Sequence, residues 1–284
     1  MGAGQGGAAE PKALLLAAGL GTRLRPLTDV LPKCLVPICG RPLLGYWLEL
    51  LDRAGFSRIV VNLHHHADLV RQYVEQTPYA AKVELVYEEK LLGTGGTLLA
   101  NRSLLDGGPV LVAHADNLSV FDVQSFLSRH SGRPSGCDMT MMTFETDDPQ
   151  SCGIVELDQR GVVTGFHEKV RNPPGNIANA AIYIFEPSIF DELAALGRAT
   201  LDLSMQLLPA MVGRALTYPN MDFHCDIGTP RALAIAQFAL PLLCPANFAI
   251  VLDESWKLLL QRDDGRLART IVKNLGTALG AADQ

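Results

Sequence analysis

No two of the six cysteines (Cys34, Cys39, Cys137, Cys152, Cys225, Cys244) stand in a CxxC spacing. They lack metal-ligand spacing and a paired base, so small core residues with reduced thiols, in a cytoplasm, are the expectation. Uninterrupted apolar runs fall well short of the roughly 18 residues a membrane-spanning helix needs, and the N-terminus lacks the basic and apolar regions of a secretory signal. Positive charge is not in excess. Lys and Arg number 24 against 30 Asp and Glu, leaving a net charge of −6 and a pI near 5.6. That balance excludes the basic footprint of a nucleic-acid or anionic-membrane binder, so a phosphate-bearing ligand must be held by local cations. What is present is a chain of 284 residues, 48% hydrophobic and 19% charged. Such a chain folds around a real core, as one large domain or two small ones.

Residues 1–11 are Gly/Ala-rich without periodicity and read as a flexible leader. The apolar run 13–18 ends in Gly19, as expected of a strand buried on both faces of a parallel sheet. Strand-like runs at 58–63, 83–88 and 109–115 alternate with helical patterns at 43–54, 67–76 and 121–130. That alternation predicts crossover units and a doubly wound parallel sheet. From about 137 the pattern changes to short strand-like runs at 137–144, 153–157, 162–169 and 178–185, which predicts an antiparallel addition. Helices are expected at 187–196 and 201–212, then a strand near 215–225. Thr229-Pro230 reads as an N-cap with proline at the first position of a helix over 231–240. Beyond Pro245, helical patterns at 253–262 and 264–279 form an extension, 241–284, to a domain at 12–240. These amphipathic helices either pack on the domain or make a homodimer contact.

The first strand runs into Gly19-Leu20-Gly21-Thr22-Arg23-Leu24-Arg25-Pro26-Leu27-Thr28, followed by Leu31-Pro32-Lys33. Glycines just after a buried strand let the backbone approach a ligand and point N–H groups at phosphate. A dinucleotide-binding fingerprint requires a small residue where Leu24 stands, which argues against a nicotinamide-dependent dehydrogenase, and a Walker loop requires Gly-Lys-Ser/Thr. Over G-x-G-T-R-x-x-P-x-T-x-x-x-P-K the stretch instead resembles the signature of the sugar-1-phosphate nucleotidyltransferases. The resemblance covers residues 12–240. It implies a single catalytic domain with a Rossmann-like, doubly wound mixed sheet, in which Gly19, Gly21 and Thr22 wrap a nucleoside triphosphate and Arg23 and Lys33 offset its charge.

Further segments carry the same likeness. Glu89-x-x-Leu92-Gly93-Thr94-Gly95-Gly96 resembles the base-reading loop, with Gly93, Thr94 and Gly95 giving backbone access before a helix. A carboxylate at Glu89 suits guanine N1–H and its amine, and equally a uracil N3–H. The form Leu-Gly-Thr-Gly-Gly is most similar to mannose- and heptose-1-phosphate guanylyltransferases, which favours GTP. Asp116, at the carboxyl end of a predicted parallel strand, and Asp226, just before the Thr229 cap, are placed as two oxygen donors for Mg²⁺. The family's usual Gly-Asp is Ala115-Asp116 here. Phe166-His167-Glu168-Lys169 resembles a motif in which the glutamate holds sugar hydroxyls and the lysine, also counted as catalytic, the sugar phosphate. Neighbours on a strand face opposite ways, so Glu168 and Lys169 serve one site only if the strand ends or bulges there. Gly153 and Asn179 complete the implied sugar pocket.

The resemblance thus implies transfer of a nucleotidyl group, GMP foremost, to mannose- or manno-heptose-1-phosphate for surface-polysaccharide assembly. UTP- or dTTP-dependent chemistry and a catalytically silent regulatory relative are the alternatives. The silent relative should have lost phosphate or metal groups, whereas Arg23, Lys33, Asp116, Lys169 and Asp226 are all present. His64-His65-His66 reads as a strand-to-helix turn, and Trp47 and Trp256 as packing residues.

Overall fold

The computed structural model describes residues 10–243 and 253–280. Most of the expected leader, and Cys244, lie outside the described residues. The parallel half comprises β1 (Lys12–Leu16), β4 (Arg58–Leu63), β5 (Val83–Tyr87) and β6 (Val110–His114). Between β1 and β4 come the two-residue strands β2 (Pro37–Ile38) and β3 (Arg41–Pro42) and helix α1 (Leu43–Arg53). Helix α2 (Ala67–Gln76) links β4 to β5, and α3 (Thr94–Ala100) and α4 (Arg102–Leu105) link β5 to β6. Next come β7 (Asn117–Val120), α5 (Val123–Ser131), β8 (Met139–Glu145), β9 (Gly153–Leu157), β10 (Val163–Glu168) and β11 (Ile177–Phe185). The chain continues through α6 (Ile189–Ala195), β12 (Ala215–Pro219), β13 (Phe223–Asp226), α7 (Pro230–Leu243), α8 (Glu254–Leu260) and α9 (Arg266–Gly280).

The large sheet runs β10-β9-β11-β6-β1-β4-β5, with β8 on β11 and β12 on β8. Pairings among β6, β1, β4 and β5 are parallel, whereas β11 is antiparallel to β6 and β8. The result is the expected α/β mixed sheet. Along β1, Ala13 and Leu15 enter one hydrophobic cluster and Leu14 and Leu16 the other. This alternation, with every one of those residues buried, is why β1 reads as a continuous apolar run. Strand order reverses at β1: the chain moves outward to β4 and β5, then returns to β6 on the other side. The carboxyl ends of β1 and β6 therefore flank a topological switch point, where open α/β sheets bind ligands.

Two expectations are corrected. Residues 201–212 do not form an α-helix but a π turn (Leu203–Leu207) and a 3-10 turn (Leu208–Met211). Pro209 lacks the N–H an α-helix would use, and the Leu201 backbone is bonded to the 92–96 loop. The strand near 215–225 is two strands in different sheets. Pro219 ends β12, and Asn220 turns the chain by accepting the Asp222 N–H (3.0 Å), so that β13 leaves the large sheet to pair with β7. At the start of α7 Thr229 caps as expected, its hydroxyl accepting the Ala232 N–H at 3.2 Å.

Helices α8 and α9 pack on the domain. Tyr73 Oη donates to Asp253 (2.6 Å), Ser255 Oγ donates to the Gln76 carbonyl (2.8 Å), and the Trp256 ring meets Tyr73 edge-on. Among the described residues no helix is long and apolar enough to cross a membrane.

Candidate active site

At the switch point four charged side chains converge. Lys33 Nζ lies 2.8 Å from Asp116 Oδ2 and 2.7 Å from Asp226 Oδ1, and Arg23 Nη2 lies 3.5 Å from the other Asp226 oxygen. The fold explains the convergence. Ala115 donates its N–H to Leu16 O (3.0 Å), which sets Asp116 directly beyond β6. Asp226, the last residue of β13, is the cross-strand partner of Asn117, the first of β7, so the small β7–β13 sheet carries it beside Asp116. Asn117 is itself pinned: its carbonyl accepts from Trp47 Nε1 (2.9 Å) and its amide donates to Ala180 O (3.2 Å).

Lys33 is buried, and burial works against its charge, yet the two carboxylates outweigh burial and hold its pKa above the ordinary lysine value. Burial also pushes the Asp226 carboxyl upward, but Lys33, Arg23 and the Gly228 N–H (2.9 Å) overcome it and leave the pKa below the usual range. The site is thus charged and internally neutralised.

The glycine loop lies over this cluster. Gly21 has φ +62°, and a Cβ there would stand 2.8 Å from Thr28 Cγ2 and 3.2 Å from Lys33 Cβ, so only glycine lets the loop close on the lysine stem. Thr28 Oγ1 donates to Gly21 O at 2.8 Å and fixes that closure. The N–H groups of Gly21, Thr22 and Arg23 have no partner among the described residues, and Thr22 and Arg23 are exposed. These are donors available to phosphate. Gly19 sits against Asp116, with 3.7 Å from its Cβ direction to Oδ2.

A second group forms where β10 ends. Glu168 is the last residue of β10, and Lys169 follows with φ +49°, its N–H bonded to Cys152 O (3.1 Å). The strand end resolves the opposite-face problem: Lys169 Nζ reaches 3.3 Å from Glu168 Oε1. Gly153 pairs with Glu168 across the β9–β10 ladder. Asn179 lies one strand over, at a bulge in β11, where its amide accepts from Ala181 N (2.9 Å) and donates to Tyr183 Oη (2.8 Å).

The 88–97 loop packs on the segment that begins at Leu201. Gly93, with φ +76°, is needed because a Cβ would strike the Leu201 carbonyl. Gly95 and Gly96 both donate to that same carbonyl, at 2.9 and 3.1 Å, and Thr94 Oγ1 accepts from Leu203 N at 2.8 Å. The backbone that Gly93, Thr94 and Gly95 admit here is therefore that of residues 201–203. Glu89 is exposed, whereas its neighbour Glu88 is buried and accepts from Asn62 Nδ2 (2.9 Å), Thr97 Oγ1 (2.5 Å) and Leu92 N (3.1 Å). Asn62 also accepts from Ala17 N (2.7 Å), joining this loop to the end of β1. Asn62, Glu88, Thr97 and Asn117 are the supporting residues sequence reasoning missed. Only Asn62, a lone amide inside the run RIVVNL, carried a visible signal.

Asp116 and Asp226 suit a hard divalent cation, since each carboxylate keeps a second oxygen beyond the one bonded to Lys33. Among the described residues no three side chains of the types His, Cys, Asp and Glu converge as metal ligands, so such a cation would complete its shell with phosphate oxygens and water. The five described cysteines are free, and burial pushes the Cys34 thiol up to about 12, which keeps it inert. His64 Nδ1 sits 2.9 Å from the Glu88 carbonyl at the strand-to-helix turn.

The nucleotidyl transferase family profile matches residues 12–240. The mannose-1-phosphate guanylyltransferase catalytic subunit beta of Dictyostelium discoideum is 32% identical over 228 residues, 78% of this chain and 62% of that protein. The chain thus spans about three-fifths of the length of the curated relatives it matches. Among solved structures, HddC from Yersinia pseudotuberculosis superposes with a TM-score of 0.68 at 25% identity, covering 80% of this chain and 97% of that one. The same protein complexed with GMP-PN superposes with a TM-score of 0.67 at 26% identity, again over 80% of this chain and 97% of that one. With its signature loop placed over paired carboxylates at the switch point, the chain belongs to the nucleotidyl transferase family.

Proposed function

We propose that this chain transfers GMP from GTP to a sugar 1-phosphate, mannose- or manno-heptose-1-phosphate, releasing pyrophosphate and forming a nucleotide-diphospho-sugar for surface-polysaccharide synthesis in the cytoplasm. The observation that carries the reading is Lys33 bridging Asp116 and Asp226 beneath the Gly19–Arg23 loop. The guanosine preference is supported by the guanylyltransferase relatives and by the neighbour complexed with GMP-PN.

An oxygen of the sugar phosphate attacks the α-phosphorus in line; the new P–O bond forms as the α–β anhydride bond breaks and pyrophosphate departs. Such transfer needs positioning and charge neutralisation rather than covalent catalysis. Unpartnered N–H groups at Gly21, Thr22 and Arg23 receive the triphosphate, with the Arg23 guanidinium, 66% exposed, free to follow it. Lys33 holds its proton and its charge throughout. Lys169 takes the sugar phosphate while Glu168, Asn179 and the Gly153 backbone orient the hydroxyls, and Glu89 meets the base. Mg²⁺, held by Asp116 and Asp226, would neutralise phosphate charge.

The test is pyrophosphate release with Mg²⁺ and each of GTP, UTP, dTTP, CTP and ATP against mannose-, manno-heptose- and glucose-1-phosphates. Release confined to GTP with a manno-configured sugar is expected. Release with a pyrimidine nucleotide would overturn the reading of Glu89 and keep the reaction. Silence across the panel, with nucleotide bound, would favour a regulatory relative.

A further inference from the structure

Helix α9 lies beyond residues 12–240, yet it touches the loop that carries Arg23. Its inner face carries Leu267, Ile271 and Leu275, packed on the main core, and the buried Ala278. That spacing is one helical stripe, and Asn274 falls within it, three residues after Ile271 and four before Ala278. A polar residue in an apolar stripe needs a partner. Asn274 Nδ2 donates to Pro26 O at 3.0 Å. The same carbonyl closes the 3-10 turn Leu27–Asp29 by accepting Asp29 N (3.2 Å), and α9 packs along that turn. The turn in turn sets the glycine loop, because its Thr28 hydroxyl is bonded to Gly21 O and its Leu27 and Thr28 are buried.

A continuous path therefore runs from α9 through Asn274, Pro26 and Thr28 to Gly21 and the unpartnered N–H groups beside it. We propose that Asn274 is a positioning residue: the C-terminal extension braces the nucleotide loop and holds it in the conformation that receives the triphosphate. The consequence for turnover rests on the function proposed above, whereas the mechanical link does not. Asn274 touches no reacting group; it acts through Pro26 and Thr28.

The experiment uses the full chain and compares wild type, Asn274→Leu, which keeps size and suits the apolar stripe, and Asn274→Gln, which keeps an amide donor. Amide hydrogen exchange is followed over 20–32, and steady-state kinetics are run with GTP and mannose-1-phosphate. In Asn274→Leu, exchange of the bonded amides over 24–30 should accelerate about three- to tenfold, the scale of one lost hydrogen bond, with a matching rise in the GTP KM. Protection in α1 and β6, kcat and the sugar-phosphate KM should stay unchanged, and Asn274→Gln should restore part of both effects. Unchanged loop exchange in Asn274→Leu would overturn the brace, as would acceleration spread evenly over the chain. If wild type turns over no nucleotide, the proposed function falls while the exchange result still decides the brace.

Discussion

Lys33 and Asp226, 193 residues apart in the chain, meet at 2.7 Å with the lysine side chain only 6% exposed. A buried ammonium shared between two carboxylates, with the Arg23 guanidinium beside Asp226, makes the site neutral before any ligand arrives, and removing either sign leaves the other unpaired.

Lys33→Ala should lower pyrophosphate release by about 10²-fold or more, as expected for loss of one preorganised charge at a transferring phosphate. It should also remove the largest influence depressing the Asp226 pKa. In wild type the folded value lies below the unfolded one, so the contribution of Asp226 to stability is complete above about pH 3.9 and is lost as pH falls through the lower folded value. Acid unfolding curves of the two proteins check the second point, and near-normal turnover in Lys33→Ala would sink the first.

Gly21→Ala places a methyl 2.8 Å from Thr28 Cγ2 in a left-handed backbone conformation. The conformational cost alone is about 1–2 kcal/mol. The loop should respond by opening, so nucleotide affinity measured by titration calorimetry should fall more than the thermal midpoint does.

Glu88 and Glu89 should separate cleanly. Glu88→Ala orphans the buried Asn62 amide and Thr97 hydroxyl and should cost about 2–3 kcal/mol of stability. Glu89→Ala, at an exposed position, should change stability by less than about 0.5 kcal/mol. Under the proposed function it should instead weaken discrimination between GTP and the other triphosphates. Denaturant unfolding and the nucleotide panel measure the two effects.

Stability should decline between pH 6.5 and about 4 because of His130. Burial and the neighbouring Arg133 lower its pKa from 6.5 to about 4, against the pull of Glu186. The unfolded chain therefore binds the extra proton in this window, so stability rises with pH through it and is fully present above 6.5. His130→Gln should flatten that part of the profile, read from unfolding free energies at successive pH values.

Trp256→Ala removes a ring that is 3% exposed and packed on Tyr73, and should cost about 3 kcal/mol. If the extension also forms a homodimer contact, the mass in solution should fall with it; light scattering on the variant and on wild type decides between packing alone and both roles.

Much of this molecule was legible from order along the chain. The run 13–18 is apolar throughout, and 58–63 apolar but for Arg58 and Asn62, because parallel strands buried on both faces have no solvent side, and helix 67–76 was readable to the residue because its pattern is local. Phosphate-loop chemistry was legible as well, since Gly21, Arg23 and Lys33 lie within fifteen residues of one another in a signature whose spacing is itself the information. What the sequence could not hold is whatever depends on which distant strands are neighbours. That Asp226 reaches Asp116 follows from β13 leaving the large sheet for β7, a choice made by Pro219 and Asn220 in competition with continued pairing. Burial of Glu88 rather than Glu89 follows from register, because successive residues beyond β5 point opposite ways and only packing against Asn62 says which way is inward. The glycines at 93 and 95 read alike whether they admit a ligand or a chain; that the Leu201 backbone packs against them was set by the tertiary fold, because its carbonyl comes from a distant segment that local sequence does not specify.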